Sequence, residues 1–189
     1  MNNTNGKLLS VRSMVFMAVF AALICVAAPF GFNVGPIPIT LATFAVYLAG
    51  AILGGKRGTV AVIVYILLGA VGLPVFSNFN GGFGALLGPT GGYIIGYIPL
   101  VLITGVFADM NSKKHWTMII GMLLGTVVLY TFGTAWYMIL TGKNLVTALT
   151  TCVLMFLPGD AIKIACVSAL AIPLKSQLNS IMFGSAKRG

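Results

Sequence analysis

Long apolar runs, separated by short polar or Gly/Pro-rich interruptions, dominate this chain. They fall at about 12–29, 39–54, 58–73, 91–108, 116–140 and 158–175. A hydrocarbon core about 30 Å thick needs roughly 20 helical residues, so each run is read as a membrane-spanning helix. The second and third are short and are expected to stand nearly upright or to extend into their flanks. A further apolar stretch at 144–157 is too short to span comfortably; it is expected to form a short helix near the outer membrane face. Lys7 and Arg12 precede the first run as they would in a signal peptide. Its apolar stretch, Ser13 to Phe30, exceeds the usual core of about 7–15 residues, so it is read as a retained span.

Composition agrees with this reading. Hydrophobic residues make up 59% of the 189 positions and charged residues 7%. A soluble domain carries about a quarter charged residues, because its surface faces water. The expectation is an all-α bundle of six transmembrane helices forming one membrane domain over residues 1–189. The net charge of +9 does not indicate nucleic acid, because the cations sit in short clusters between the apolar runs. With both termini in the cytoplasm, Lys7, Arg12, Lys56, Arg57, Lys113, Lys114, Lys175, Lys187 and Arg188 all lie inside. Lys143 alone lies outside, and Lys163 falls within a span. Counting 144–157 as a seventh span would move the three tail cations outside, so six spans is preferred. Cys25, Cys152 and Cys166 lie in apolar segments without metal or redox spacing and read as small buried hydrophobes.

The two outer connections, 29–38 and 74–90, are rich in Gly, Pro, Phe and Asn and carry no charge. Irregular backbone near membrane depth is tolerated where protein buries it or where it lines a cavity, so both are expected to fold onto the outer end of the bundle. Asp160 and Lys163 follow Phe156-Leu157-Pro158-Gly159 and fall three residues apart on one face of the last span. Pro158 suits the first helical position, and the helix dipole favours an acid in the first turn. An ionisable group within a span costs at least about 2.5–3.5 kcal/mol at its centre, so such groups usually face the bundle interior and serve a function. The bland alternative is a self-satisfied ion pair. Gly88-Pro-Thr-Gly-Gly-Tyr93 opens the fourth span. Gly91, Gly92 and Gly96 suit close helix packing, and the helix amino terminus suits an anion. No phosphate-binding GxxxxGK[ST] loop occurs. Ala18 and Ala22 form a small-xxx-small pair that fits either another subunit or a neighbouring helix. Trp136 and Tyr137 read first as interface anchors. His115 is the single histidine, and Asp109 is expected on the opposite membrane face from Asp160, so no acid–base pair, nucleophile triad or metal cluster assembles. An enzyme is not expected.

Three stretches then carry a family resemblance: GlyProIleProIleThrLeu at 35–41, the run from LeuProValPhe at 73–76 to GlyProThrGlyGlyTyr at 88–93, and PheLeuProGlyAspAlaIleLys at 156–163. In this order, over roughly residues 12–175, the chain resembles the BioY family, the biotin-specific S components of energy-coupling factor (ECF) transporters. The resemblance implies a six-helix S-component fold in a prokaryotic plasma membrane, with biotin as the transported ligand and no cofactor. It also implies a transmembrane coupling subunit and two ATP-binding cassette ATPases as partners. The Ala18/Ala22 face would meet the coupling subunit, and Asp160 and Lys163 would belong to the ligand site. Ala42 departs from the family pattern, where a glutamine is expected.

Biotin offers two ureido N–H donors, a strong carbonyl acceptor, an apolar ring and a carboxylate tail. Asp160 suits the ureido N–H groups, and Lys163 suits either the ureido oxygen or the carboxylate. Asn78 and Asn80 are candidate outer-loop donors, Phe79, Phe83 and Tyr93 a candidate apolar wall, and Gly91 a further contact. The competing readings are an S component for another vitamin and a self-sufficient secondary transporter; for the latter, no convincing internal repeat is present.

Overall fold

The computed structural model describes residues 10–32, 37–110 and 115–183. Lys7, Lys113, Lys114, Lys187 and Arg188, and residues 33–36 of the first outer connection, lie outside these. Helices α1 (Val11–Ala27), α2 (Ala42–Leu53), α3 (Gly55–Ala70), α5 (Gly91–Met110), α6 (His115–Thr141) and α8 (Leu157–Phe183) form the bundle. The short helices α4 (Phe83–Leu87) and α7 (Leu145–Leu149) flank it, and a two-residue hairpin pairs β1 (Gly31–Phe32) with β2 (Ile39–Thr40).

Local chemistry sets several of these boundaries. The Ser10 hydroxyl accepts from the Ser13 N–H at 3.3 Å and caps the start of α1. Gly54 adopts φ 82°, ψ 175°, a conformation costly for any residue with a side chain, and there the chain doubles back from α2 into α3. The reversal shows at Gly58, where an added Cβ would lie 3.2 Å from the Ala49 carbonyl oxygen. Lys56 and Arg57 therefore occupy the first turn of α3, not the loop expected from sequence.

Helix α2 is the axis of the bundle. Eleven of its twelve residues are buried, as befits a helix that is apolar all round. It packs against α1, α3, α5 and α8, while α5 and α6 form the most extensive helix pair. At 1.5 Å per residue a twelve-residue helix is only about 18 Å long, against about 40 Å for the 27 residues of α6. Space is therefore left above the amino terminus of α2, bounded by longer helices. Among the described residues three stretches are long and apolar enough to cross a membrane, Gly91–Met110, Trp116–Thr141 and Leu145–Lys175, and Val11–Ala27 and Ala42–Leu53 are shorter apolar helices.

Three further segments differ from expectation. The last helix does not stop near residue 175 but runs to Phe183, carrying Pro173 within it. The stretch expected as one short outer helix at 144–157 is α7 followed by a π-turn at Thr150–Leu154, where Thr150 and Thr151 donate their hydroxyls to carbonyls one turn back. The 74–90 connection is partly helical, with a 3₁₀ turn at Ser77–Phe79 and then α4; the Gly82 N–H ties it to the Gly69 carbonyl at 2.7 Å.

At the end opposite the start of α2, Asp109 of α5 accepts from the Gly55 N–H at 3.2 Å and from Lys175 Nζ at 3.0 Å; Lys175 also donates to the Ala108 carbonyl at 2.9 Å. This contact ties the start of α3 and the end of α5 to α8 two turns before its end, so Lys175 is held inside the bundle and is not a free tail cation. Close by, Gly105 presses on the backbone of Gly54 and Gly55, leaving no room for a side chain. Gly105→Ala is expected to destabilise the detergent-solubilised protein by about 1–3 kcal/mol, the usual cost of overpacking. Gly84→Ala, where an added Cβ meets nothing within 4 Å, is expected to be neutral or slightly stabilising. Thermal unfolding of the two variants side by side checks both.

Candidate functional site

The space above α2 is a cavity of about 540 Å³, counting the open volume at its mouth. Its walls come from α2, α3, α5, α6 and α8, and its rim from Ile37–Thr40 and Ser77 of the outer connections.

Asp160 and Lys163 stand in its wall, both almost wholly removed from solvent, with their charged atoms 3.0 Å apart. The Asp160 N–H closes on the Phe156 carbonyl at 2.9 Å, which places the carboxylate in the first turn of α8. Tyr130 of α6 donates its hydroxyl to Asp160 Oδ2 at 2.7 Å. The Thr43 hydroxyl, at the start of α2, donates to Asp160 Oδ1 at 3.4 Å and accepts from Lys163 Nζ at 2.7 Å. A third Lys163 contact reaches the Thr40 carbonyl at 2.8 Å. Donors on both carboxylate oxygens make Asp160 an acceptor, and a carboxylate offers about four lone-pair sites, so it can take a further N–H from a ligand. The buried pair has its hydrogen bonds made, which is the condition under which such a pair is tolerated.

Aromatic and aliphatic side chains complete the wall. Tyr93 and Tyr97 of α5, Leu129 of α6 and Phe156 line the cavity. The Tyr93 ring meets Phe156 edge-on at 6.1 Å between centroids. Beneath Asp160, the Tyr47 and Thr126 hydroxyls share a hydrogen bond of 2.5 Å. Ala42, the position where the family pattern leads one to expect glutamine, lies in the lining and contributes only a methyl group.

Of the residues singled out from sequence, the fold brings Asp160, Lys163 and Tyr93 together at the cavity; Asn78, Asn80, Phe79, Phe83 and Gly91 are not among its lining residues. The reason lies in the backbone. Asn78 and Phe79 both have φ 58°, and this left-handed pair turns their side chains away while Ser77 faces in. The Asn78 N–H ties to the Pro29 carbonyl at 3.1 Å, and Phe79, well exposed, meets the Phe30 ring edge-on. Asn80 folds its side chain onto the Ser77 carbonyl at 3.1 Å. Phe83 is exposed on α4, and the Leu86 backbone covers Gly91. Sequence reasoning missed Thr40, Thr43, Tyr130, Tyr97, Ser77 and Thr90. The available signal was a scatter of hydroxyl side chains within apolar helices, which only converge once the helices pack. Ala18 and Ala22 lie on the exposed face of α1, with Ala21 turned into the core. Tyr137 is buried and not an interface anchor, and the Trp136 indole N–H donates to the Gly88 carbonyl at 3.0 Å.

Comparison with known proteins gives one answer. The BioY family model matches residues 1–180. The chain is 36% identical to the biotin transporter BioY of Thermotoga maritima, over 87% of this chain and 96% of that protein. It is 36% identical to a probable biotin transporter BioY of Pyrococcus horikoshii, over 86% of this chain and 96% of that one. Among solved structures it resembles the S-component for biotin from an ECF-type ABC transporter, with a TM-score of 0.79 and 30% identity, over 94% of this chain and 95% of the other. A helical bundle with long apolar helices, a cavity walled by a braced Asp–Lys pair, and matches along almost the whole sequence converge: this membrane protein belongs to the BioY family.

Proposed function

We propose that this protein captures biotin at the outer face of a prokaryotic cell membrane and serves as the substrate-binding component of an ATP-driven uptake system. The observation that carries the reading is the Asp160–Lys163 pair, braced by Thr43 and Tyr130 and facing the cavity, in a chain of this family. Asp160 accepts a ureido N–H of biotin, and the rings pack against Tyr93 and its aromatic neighbours. Family membership supports the substrate, and the position of the cavity beneath two uncharged connections supports entry from outside.

On this reading the chain is one multi-pass membrane domain with six spans and both termini in the cytoplasm. The clustering of cations supports that orientation. The 74–90 connection closes over the ligand, supplying Ser77 to the rim. The chain carries no phosphate-binding loop, so uphill delivery rests on a transmembrane coupling subunit and two ABC ATPases. The open Ala18/Ala22 face of α1 supports docking of the coupling subunit there, since small side chains allow close helix approach.

Calorimetry on the detergent-purified chain, titrated with biotin and with a panel of other vitamins, tests the capture step. Biotin binding is expected, and its absence overturns the reading. Asp160→Asn should weaken biotin by about 100-fold, near 2.7 kcal/mol, because a charged acceptor is lost and Lys163 is left without its counter-ion. Ala18→Trp combined with Ala22→Trp should leave that affinity unchanged while abolishing uptake of labelled biotin by cells that express the whole system. Undiminished uptake would remove the docking face.

A further inference from the structure

Helix α8 is held to the bundle along one narrow stripe. Asp160, Ile164, Val167, Ala171 and Lys175, spaced by three or four residues, are buried, while Ile162, Cys166 and Leu170 between them are exposed. The helix packs chiefly on α2, and Ile164, Val167 and Ala171 join the apolar core. Apolar contact is not directional, so this middle section does little to fix the height of α8 against α2. The ends of the stripe are ionic. At one end Lys163 donates to the Thr40 carbonyl, to Thr43 and to Asp160, all around the start of α2. At the other, Lys175 donates to the Ala108 carbonyl and to Asp109, and Asp109 accepts from the Gly55 N–H just past the end of α2. From Lys163 to Lys175 is twelve residues, about 18 Å of helix, which is the length of α2 itself. The two ion pairs clamp α8 to both ends of its partner. Pro173 precedes the far clamp and has no N–H for the helical ladder, so the Lys175 side chain does holding that the backbone omits there.

The height of α8 matters at the cavity. The Tyr130 hydroxyl reaches Asp160 at 2.7 Å from a different helix, and such bonds tolerate a shift of only about 0.5 Å. We propose that Asp109 and Lys175 are positioning residues for the ligand site: their ion pair sets the height of α8, and so the place of Asp160 at the opposite end of α2. Neither is among the described residues that line the cavity. Of the two side chains Lys175 is 11% exposed and Asp109 55%, so a group approaching the far end of the bundle meets the pair at Asp109. Parting Asp109 from Lys175 there loosens the ligand at the other end. Biotin as the reporting ligand rests on the function proposed above; the clamp rests on the structure alone.

The full chain in detergent supplies the test. Lys175→Met keeps the apolar stem and leaves without a cation only Asp109, which water reaches, so the bundle is expected to fold. Without ligand, amide hydrogen exchange in this variant should quicken at Asp160–Ile164 as well as beyond Pro173. Quickening confined to residues beyond Pro173 means that the helix merely frays, and overturns the proposal whatever the protein binds. In calorimetry Lys175→Met should weaken biotin about tenfold, within the roughly 2- to 30-fold span of remote couplings. Lys175→Arg should stay within about threefold of wild type, the scatter of neutral substitutions. Val101→Ala is the control for general loosening, since Val101 is buried in mid-bundle against Gly50 and Gly58. It should lower the unfolding temperature and leave biotin affinity within the same scatter. Unchanged affinity in Lys175→Met, or an equal loss in Val101→Ala, overturns the proposal. Failure of the wild-type chain to bind biotin overturns the biotin reading instead, and hydrogen exchange then decides the clamp by itself.

Discussion

Everything in this structure follows from a central helix too short for its surroundings. Helix α2 is buried on nearly every side, yet its twelve residues reach only about 18 Å, roughly half the length of α6. Close packing along α2 needs small residues: Gly50 of α2 admits Val101 and Thr104 of α5, Gly58 of α3 lies against Ala49 and Gly50, and Gly105 of α5 presses on the turn at Gly54 and Gly55. Above its amino terminus no helix occupies the axis, and the long helices around it enclose a cavity. The site is thus a consequence of unequal helix lengths in one bundle and not of any added domain.

The same helix end governs the electrostatics. Thr40 and Thr43, at the start of α2, supply a carbonyl and a hydroxyl to Lys163, and Thr43 returns a hydrogen bond to Asp160. An Asp–Lys pair removed from water gains little net stability, since desolvation offsets the Coulomb attraction. What the bracing by Thr43 and Tyr130 achieves is geometry: a carboxylate held as an acceptor at a fixed place, with an ammonium beside it.

The chain has two carboxylates, and each forms an ion pair at one end of α2. Asp160 with Lys163 marks the cavity. Asp109 with Lys175 joins the turn between α2 and α3 to the end of α5 and to α8. Charge is sparse in this protein, and where it occurs inside the bundle it organises helix ends.

The apolar runs alone determined that the chain is a helical membrane protein, because the hydrophobic effect acts on composition and needs no knowledge of packing. They also located each long helix to within a few residues, except where the apolar run gives way to Lys175, Ser176, Gln177, Asn179 and Ser180 while α8 continues as a helix to Phe183, and where a single glycine replaced an expected loop after α2. Asp160 and Lys163 were legible because three-residue spacing in a helix puts two charges on one face and their surroundings were greasy. Tertiary structure decided the rest. Thr43 lies 117 positions before Asp160 and Tyr130 lies 30 before it, so no local pattern could join them. The loop asparagines looked like ligand donors, but left-handed backbone at Asn78 and Phe79 turned them outward and brought Ser77 in. Which side chains face a cavity depends on backbone direction and on the relative height of packed helices, and neither is written in the local order of residues.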